Sequence, residues 1–237
     1  MAAKPLPKGM EWGLESSAAW VKLESMPPAL PPLKPDYWDQ ATRDLAARDE
    51  VMAALVAAYP GASLCSRGEP FSTLARSIVG QQISVKAADA VWSRFCSALP
   101  VLSPDAVLAL GAPGLEDRGL SRRKIEYLLD LAERFVDGRL NPAHWYAMGD
   151  MAVCQELCKV RGVGEWTAQM FLMFNLLRPD VLPLDDKGLQ KAVARLYRGG
   201  ATPSRDELAA QGEAWRPWRS VATWYLWRSL DPVAVAY

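Results

Sequence analysis

The stretch VRGVGEWTAQMF, residues 160–171, places two glycines one residue apart immediately before an apolar run. The segment ahead of it, 151–160, and the run behind it both carry apolar residues at helical spacing. Glycine adopts positive φ and removes side-chain bulk, so the pattern predicts two helices joined by a tight hairpin. The hairpin N–H groups and the N-terminus of the second helix suit a phosphate, although a plain helical turn explains the glycines equally well.

Helical patterns continue on both sides of the hairpin. Periodic apolar residues run through 36–61, 71–99 and 121–138, and Gly80 interrupts the second of these segments. Strand signals are scarce, because no sustained alternation of apolar and polar residues is bounded by Asn-Gly or Asp-Gly turns. We therefore expect an all-α fold with a bend near Gly80, and no solenoid, because no fixed-period repeat is present.

Length and composition are typical of a globular protein. Half of the 237 residues are hydrophobic, which is enough for one good core. There is no apolar run of about 18 residues and no basic start followed by an apolar segment, so we predict no membrane span, no secretory signal and a cytoplasmic protein of bacterial type. Residues 1–35 hold seven prolines and are expected to form an extended or disordered arm.

Charge and cysteine content limit the function classes. Lys plus Arg and Asp plus Glu both number 27, so a nucleic acid would have to meet a local basic patch. Such patches exist at 121–124, around Val160 and near the C-terminus, but each taken alone is more typical of a solvated helix face. Of the four cysteines only Cys154 and Cys158 are close in the sequence, and this CxxxC pair with a single histidine, His144, cannot complete a four-ligand set. We therefore predict no zinc or iron–sulfur cluster and expect all four cysteines to be reduced core thiols. They are Cys65, Cys96, Cys154 and Cys158.

A proline and two aspartates follow the hairpin by about one helix and a loop. Pro183 ends the preceding segment, and Asp185 or Asp186 then lies where the N-cap of the helix at 189–197 belongs. Capping is one interpretation of both aspartates. The other is that this loop returns a carboxylate to the cleft that the hairpin lines.

The hairpin at 160–164, the helix after it and the segment LPLDD at 182–186 together resemble the helix-hairpin-helix DNA glycosylase superfamily. Two further stretches, 77–95 and 215–228, are similar to its 3-methyladenine DNA glycosylase II branch. The resemblance covers roughly residues 40–230. It implies an all-α core over 36–237 whose active-site cleft lies between two lobes, an inner lobe of about 72–182 and an outer lobe of 36–71 plus 183–237.

The resemblance implies a monofunctional glycosylase that flips alkylated purines out of duplex DNA and leaves an abasic site. Asp185, two residues after Pro183, is the expected catalytic carboxylate, and Asp186 is the expected helix cap. An alkylated purine already carries positive charge and leaves readily, so a carboxylate need only stabilise the oxocarbenium-like sugar while water attacks. Trp166 stands where bifunctional relatives place a lysine, so no Schiff base is expected.

Binding residues follow from the same resemblance. A flipped cationic base is held against π-faces, although core packing is the alternative for each aromatic. The pocket candidates are Trp166, Trp227, Met170 and Trp218, with Trp224 as a further candidate. The DNA-binding hairpin comprises Arg161, Gly162, Val163, Gly164 and Thr167. The wedge that fills the gap left by the base is Gln82 with Ile83, and the backbone contacts are Lys124, Arg219 and Lys159.

The expected partner is double-stranded DNA with alkylated bases, bound by a monomer without any membrane. No cofactor or metal is expected, with one exception: a monovalent cation between hairpin carbonyls and a DNA phosphate. Two other functions stay open. One is a glycosylase for deaminated or mismatched bases, and the other is a non-catalytic helix-hairpin-helix DNA-binding protein.

Overall fold

The computed structural model describes residues 34–230, and all the regular secondary structure in that part is helical. The all-α prediction is confirmed for these residues. In chain order the helices are α1 (Trp38–Arg48), α2 (Glu50–Ala58), α3 (Pro70–Gly80), α4 (Val85–Ser97), α5 (Pro104–Glu116), α6 (Arg122–Val136), α7 (Pro142–Trp145), α8 (Asp150–Leu157), α9 (Glu165–Phe174), α10 (Lys187–Tyr197), α11 (Arg205–Glu213) and α12 (Arg219–Leu230).

Short polar side chains fix where many of these helices begin. Ser84, Ser103 and Ser121 each accept a hydrogen bond from a first-turn N–H group, of α4, α5 and α6 respectively. Ser204 and Glu207 form a reciprocal capping box at the start of α11. The predicted bend is also confirmed, since α3 ends at Gly80 and α4 starts five residues later.

The helices pack in two sets around a continuous core. Helices α1, α2, α10 and α12 contact one another, while α3 packs on α4, α6 and α9, α5 on α6, and α8 on α9. Three tryptophans, Trp38, Trp145 and Trp215, are almost fully buried. The residue ranges of the two lobes stay a prediction, because the chain from Pro32 onward forms one compact unit. The predicted proline-rich arm lies almost entirely outside the described residues.

The predictions of no membrane span and of reduced core thiols can be compared with the helices and the cysteines of the described residues. Within 34–230, no helix has both the length and the apolar character needed to cross a bilayer. All four cysteines are free, but Cys65 and Cys158 are exposed, so the prediction of core thiols is wrong for these two. Cys154 is half-buried, and this burial raises the pKa of its thiol to about 11.

Candidate active site

The glycine hairpin joins α8 to α9, as the sequence predicts. Gly162 has a φ of 78°, and a Cβ built there would lie 2.1 Å from Cδ2 of Tyr127, so both backbone conformation and space demand glycine. At Gly164 a Cβ would meet no atom within 4 Å. Gly164 caps α9 without a side chain, so the N-terminus of this helix stays open to an incoming anion.

The structure narrows the set of hairpin residues that can face DNA. Val163 and Thr167 are 5% and 6% exposed, so their side chains hold the hairpin on the core, and the expectation that they contact DNA is wrong for the side chains. The N–H groups of Arg161 and Val163 are also engaged, with Asp130 Oδ2 at 2.8 Å and Val160 O at 3.1 Å. The exposed side chain of Arg161 and the bare backbone at Gly164 remain on the outer surface.

The loop between α3 and α4 lies beside the hairpin. The Gln81 amide donates to the carbonyl oxygen of Gly162 at 2.8 Å, which fixes the two turns together. Gln82 is exposed and has a φ of 58°, a conformation that side-chain-bearing residues rarely adopt. Ile83 and Val85 follow with 39% and 55% of their surfaces exposed. The two predicted wedge residues, Gln82 and Ile83, therefore form a protruding, partly apolar tip.

A carboxylate is held in place beside the second hairpin helix. Asp186 Oδ2 accepts from Trp166 Nε1 at 2.8 Å, and Oδ1 accepts from Trp227 Nε1 at 2.8 Å and from the Leu189 N–H at 2.6 Å. All three partners are donors, which suits a carboxylate because it only accepts. The side chain caps α10 and is buried, with 9% of the residue exposed.

Asp185 lies elsewhere, and its predicted role needs correction. Its carboxylate is exposed and pairs with the Arg205 guanidinium on α11. Asp186 is the helix cap, as predicted, and is also the carboxylate that the two pocket tryptophans bind. Asp186 therefore both caps α10 and binds the two tryptophans, whereas the family resemblance assigns capping to Asp186 and catalysis to Asp185.

Gly188, in the first turn of α10, makes room for this arrangement. A Cβ there would lie 3.0 Å from Cδ1 of Trp227 and 3.1 Å from Oδ1 of Asp186. Both distances are shorter than ordinary contacts, so any larger residue would press on the hydrogen bond between them. The glycine thus lets the indole approach the carboxylate directly.

A cavity of about 330 Å³ opens between α9 and the loop that carries Gln82. Trp166, Met170 and Phe174 line its α9 side. Trp166 and Met170 are two of the predicted pocket residues, and their contact with a base stays a prediction. Phe174 was missed: its ring stacks on Trp227 at a centroid distance of 6.0 Å, and the Arg67 guanidinium lies 4.7 Å from its centroid. Asp186 and Trp227 are not among the residues that line this cavity, but the lining residue Trp166 donates its indole N–H to Asp186.

Trp218 is not part of this pocket, contrary to the prediction. Its Nε1 donates to Asp44 Oδ2 at 2.9 Å, and its ring stacks on Tyr37 at 5.7 Å. Trp224 is 8% exposed and packs edge-on against Trp38 at 5.2 Å. Both tryptophans therefore hold α12 against α1, so core packing was the correct interpretation for them.

The family model described as HhH-GPD superfamily base excision DNA repair protein matches residues 75–217, which include the wedge loop, the hairpin and Asp186. The chain belongs to this superfamily. It is 31% identical to a putative DNA-3-methyladenine glycosylase of Bacillus subtilis over 76% of this chain and 66% of that relative. It is 30% identical to DNA-3-methyladenine glycosylase 1 of Schizosaccharomyces pombe over 75% of this chain and 80% of that one.

Solved structures agree with the assignment to the HhH-GPD superfamily. A DNA-3-methyladenine glycosidase from Bacillus halodurans matches with a TM-score of 0.75 and 31% identity, over 85% of this chain and 93% of that one. The 3-methyladenine DNA glycosylase of Schizosaccharomyces pombe in complex with abasic DNA matches with a TM-score of 0.70 and 28% identity, over 82% and 98%.

Two of the three cations predicted to contact the DNA backbone of this HhH-GPD protein are used within the fold. The Lys124 ammonium donates to the carbonyl oxygen of Val79 at 2.7 Å, and burial lowers the pKa of this group. Arg219 is paired with Asp180 at 2.7 Å, and its side chain is only 16% exposed. Lys124 and Arg219 thus each have a partner within the fold, whereas Lys159 is exposed beside the hairpin.

Proposed function

We propose that this HhH-GPD protein is a DNA glycosylase that releases alkylated purines of the 3-methyladenine and 7-methylguanine class and so starts base excision repair. Its relatives named as DNA-3-methyladenine glycosylases support this substrate class. One observation carries the proposal: the Asp186 carboxylate is fixed between two indoles, and one of them, Trp166, lines a base-sized cavity.

In the proposed reaction the lesion leaves the duplex and its base enters the cavity against Trp166 and Phe174. The N-glycosidic bond then breaks, and its electron pair departs with the base, which the alkyl group has already made cationic. The carboxylate of Asp186 stabilises the positive charge that develops on the sugar. A water molecule attacks C1′ and loses its proton, either to Asp186 or to solvent, and an abasic site remains.

We further propose that the enzyme has no lyase activity. A lyase would need an amine at the sugar, but position 166 carries an indole whose N–H is bound to Asp186. Lys187 follows Asp186 directly, yet its ammonium donates to Gln190 Oε1 at 3.1 Å. This contact holds the lysine on the outer face of α10.

We propose that the enzyme acts as a monomer on double-stranded DNA. Its hairpin carbonyls at Val160 and Gly162 each accept one hydrogen bond within the fold, and a carbonyl oxygen has a second lone pair. We propose that a monovalent cation uses this remaining capacity when a phosphate is bound, and that no other metal or cofactor takes part.

A second candidate substrate class is favoured by Arg67. Its guanidinium lies over the Phe174 ring at the cavity, where it would repel a cationic base and could donate to the carbonyl of a neutral one. Deaminated bases such as hypoxanthine and uracil are neutral and carry carbonyl groups, whereas 7-methylguanine carries a carbonyl group but is cationic, so charge separates the two classes. The two substrate classes therefore have to be compared directly.

The function is tested by incubating the protein with methylated duplex DNA and with duplexes containing hypoxanthine, uracil or a mismatch. We expect free 3-methyladenine and 7-methylguanine in solution, strand breaks only after alkali, and no adduct trapped by borohydride. Release from the deaminated duplexes alone would favour the second substrate class. DNA binding without release of any base would contradict both and leave a non-catalytic DNA-binding protein.

Substitutions at the wedge residue Gln82 should change both base release and stability. Replacing Gln82 by alanine or glycine should lower kcat/KM for base release about tenfold, or ~1.4 kcal/mol, because Ile83 alone then fills the gap in the duplex less completely. Glycine alone should also raise the free energy of unfolding by about 1 kcal/mol, because it relieves the positive φ. Single-turnover rates and urea unfolding measure the two effects. Gln40→Ala, an exposed glutamine on α1, is the control, and equal rates for all four proteins would refute the wedge.

A further inference from the structure

The exposed face of α10 carries a line of positive charge. Lys187, Lys191 and Arg195 are spaced four residues apart, so they lie on one side of the helix over about 12 Å. All three are exposed. The helix itself contains no acidic residue, so nothing within α10 offsets this charge.

These three cations form one wall of a shallow groove, which we call the α10 groove. Its other wall is the turn at Gly199, Gly200 and Thr202, and the enclosed volume is about 600 Å³. Gly199 and Gly200 have φ values of 58° and 102°, which favour glycine, and they leave the backbone bare at these two positions. A polyanion could therefore lie close to the backbone here while the cations contact it from the opposite side.

The acidic side chains around the groove are occupied by other partners. Glu207 binds Arg198 and the Ser204 N–H, and Asp185 pairs with Arg205. None of the three groove cations forms an ion pair with any residue between 34 and 230. In a chain with no net charge, this concentration of unneutralised cations marks a surface suited to a polyanion.

We propose that the α10 groove binds phosphates of the DNA duplex that flanks the lesion. The inference rests on the proposed function and extends its DNA-binding surface beyond the hairpin. The groove begins at Lys187, one residue after Asp186, so a strand whose sugar lies at Asp186 must pass the start of α10. This continuity favours DNA over an acidic protein as the occupant.

The test measures how DNA affinity depends on salt. Lys191→Gln, Arg195→Gln and the double variant are compared with wild type, while Lys187 stays unchanged because it adjoins Asp186. The probe is a duplex with a stable abasic analogue, in a long form and in a short form that ends a few base pairs from the lesion. Arg43→Gln, an exposed residue on α1, gives the same change in charge and serves as control. Thermal melting checks that each variant is folded.

Each groove substitution should reduce the slope of log Kobs against log salt by up to about 0.9, because one phosphate contact and its counterion release are lost. Binding of the long duplex at low salt should weaken several-fold, while the short duplex and the maximal rate of base release should change little. Slopes and affinities equal to those of Arg43→Gln would overturn the proposal and point to an acidic protein surface instead. If the groove variants reduce the salt slope as expected but wild type releases no base, the glycosylase function is refuted and the proposal that the α10 groove binds DNA stands.

Discussion

Asp186→Asn is expected to lower the rate of base release by at least about 100-fold, because the developing charge on the sugar then faces a neutral amide. The fold should survive the change. Asparagine caps helices as well as aspartate does, so its oxygen can still accept from the Leu189 N–H. The loss lies at the other oxygen, where an amide NH₂ cannot accept from the Trp166 indole. Single-turnover release from methylated DNA measures the rate, and a thermal melt measures stability.

Asp185→Asn is the matched control for this substitution. It removes one exposed ion pair with Arg205, and such a pair contributes little to stability because solvent screens it. Base release should stay within a few-fold of wild type. If the Asp185 variant were inactive and the Asp186 variant active, the catalytic role would return to Asp185, and the position of Asp186 between the tryptophans would be structural.

The hairpin could be predicted because its signals are local. Gly162 and Gly164 lie within one turn, and the apolar periodicity before and after them spans only a few residues. The local pattern could not decide between Asp185 and Asp186 as the catalytic carboxylate. Capping and catalysis look like alternatives in the sequence, but one oxygen of an N-cap carboxylate can accept from the helix backbone while the other accepts from Trp166.

The assignments of Trp218 and Lys124 have a different cause, since each of these residues has a partner that is distant in the sequence. Trp218 is held by Asp44, 174 residues away, and Lys124 by the Val79 carbonyl, 45 residues away. A tryptophan or lysine looks the same in the sequence whether it binds DNA or closes the core. Phe174 was missed for the same reason, because only the packing of α9 against α12 brings it to Trp227.

Gly162→Ala is expected to have the second-largest effect, on stability and DNA binding together. The positive φ costs an alanine about 1–2 kcal/mol, and the overlap with the Tyr127 ring adds a cost of about 1–3 kcal/mol. Such a loss corresponds to a fall in Tm of about 10 °C for a domain of this size. The shifted turn should also pull the Gly162 carbonyl away from Gln81 and so misplace the wedge loop.

Gly164→Ala separates the fold from the interface, because an alanine there meets no protein atom and needs no unusual φ. Its stability should stay within about 1 kcal/mol of wild type. Its added methyl group would nevertheless stand where a phosphate must approach the N-terminus of α9, so affinity for abasic-analogue DNA should fall. Adding Tyr127→Ala to Gly162→Ala should recover the cost of overlap and leave that of the φ angle. Wild-type Tm and affinity in Gly162→Ala would mean that neither the backbone angle nor the ring contact requires glycine, and the hairpin argument would fail.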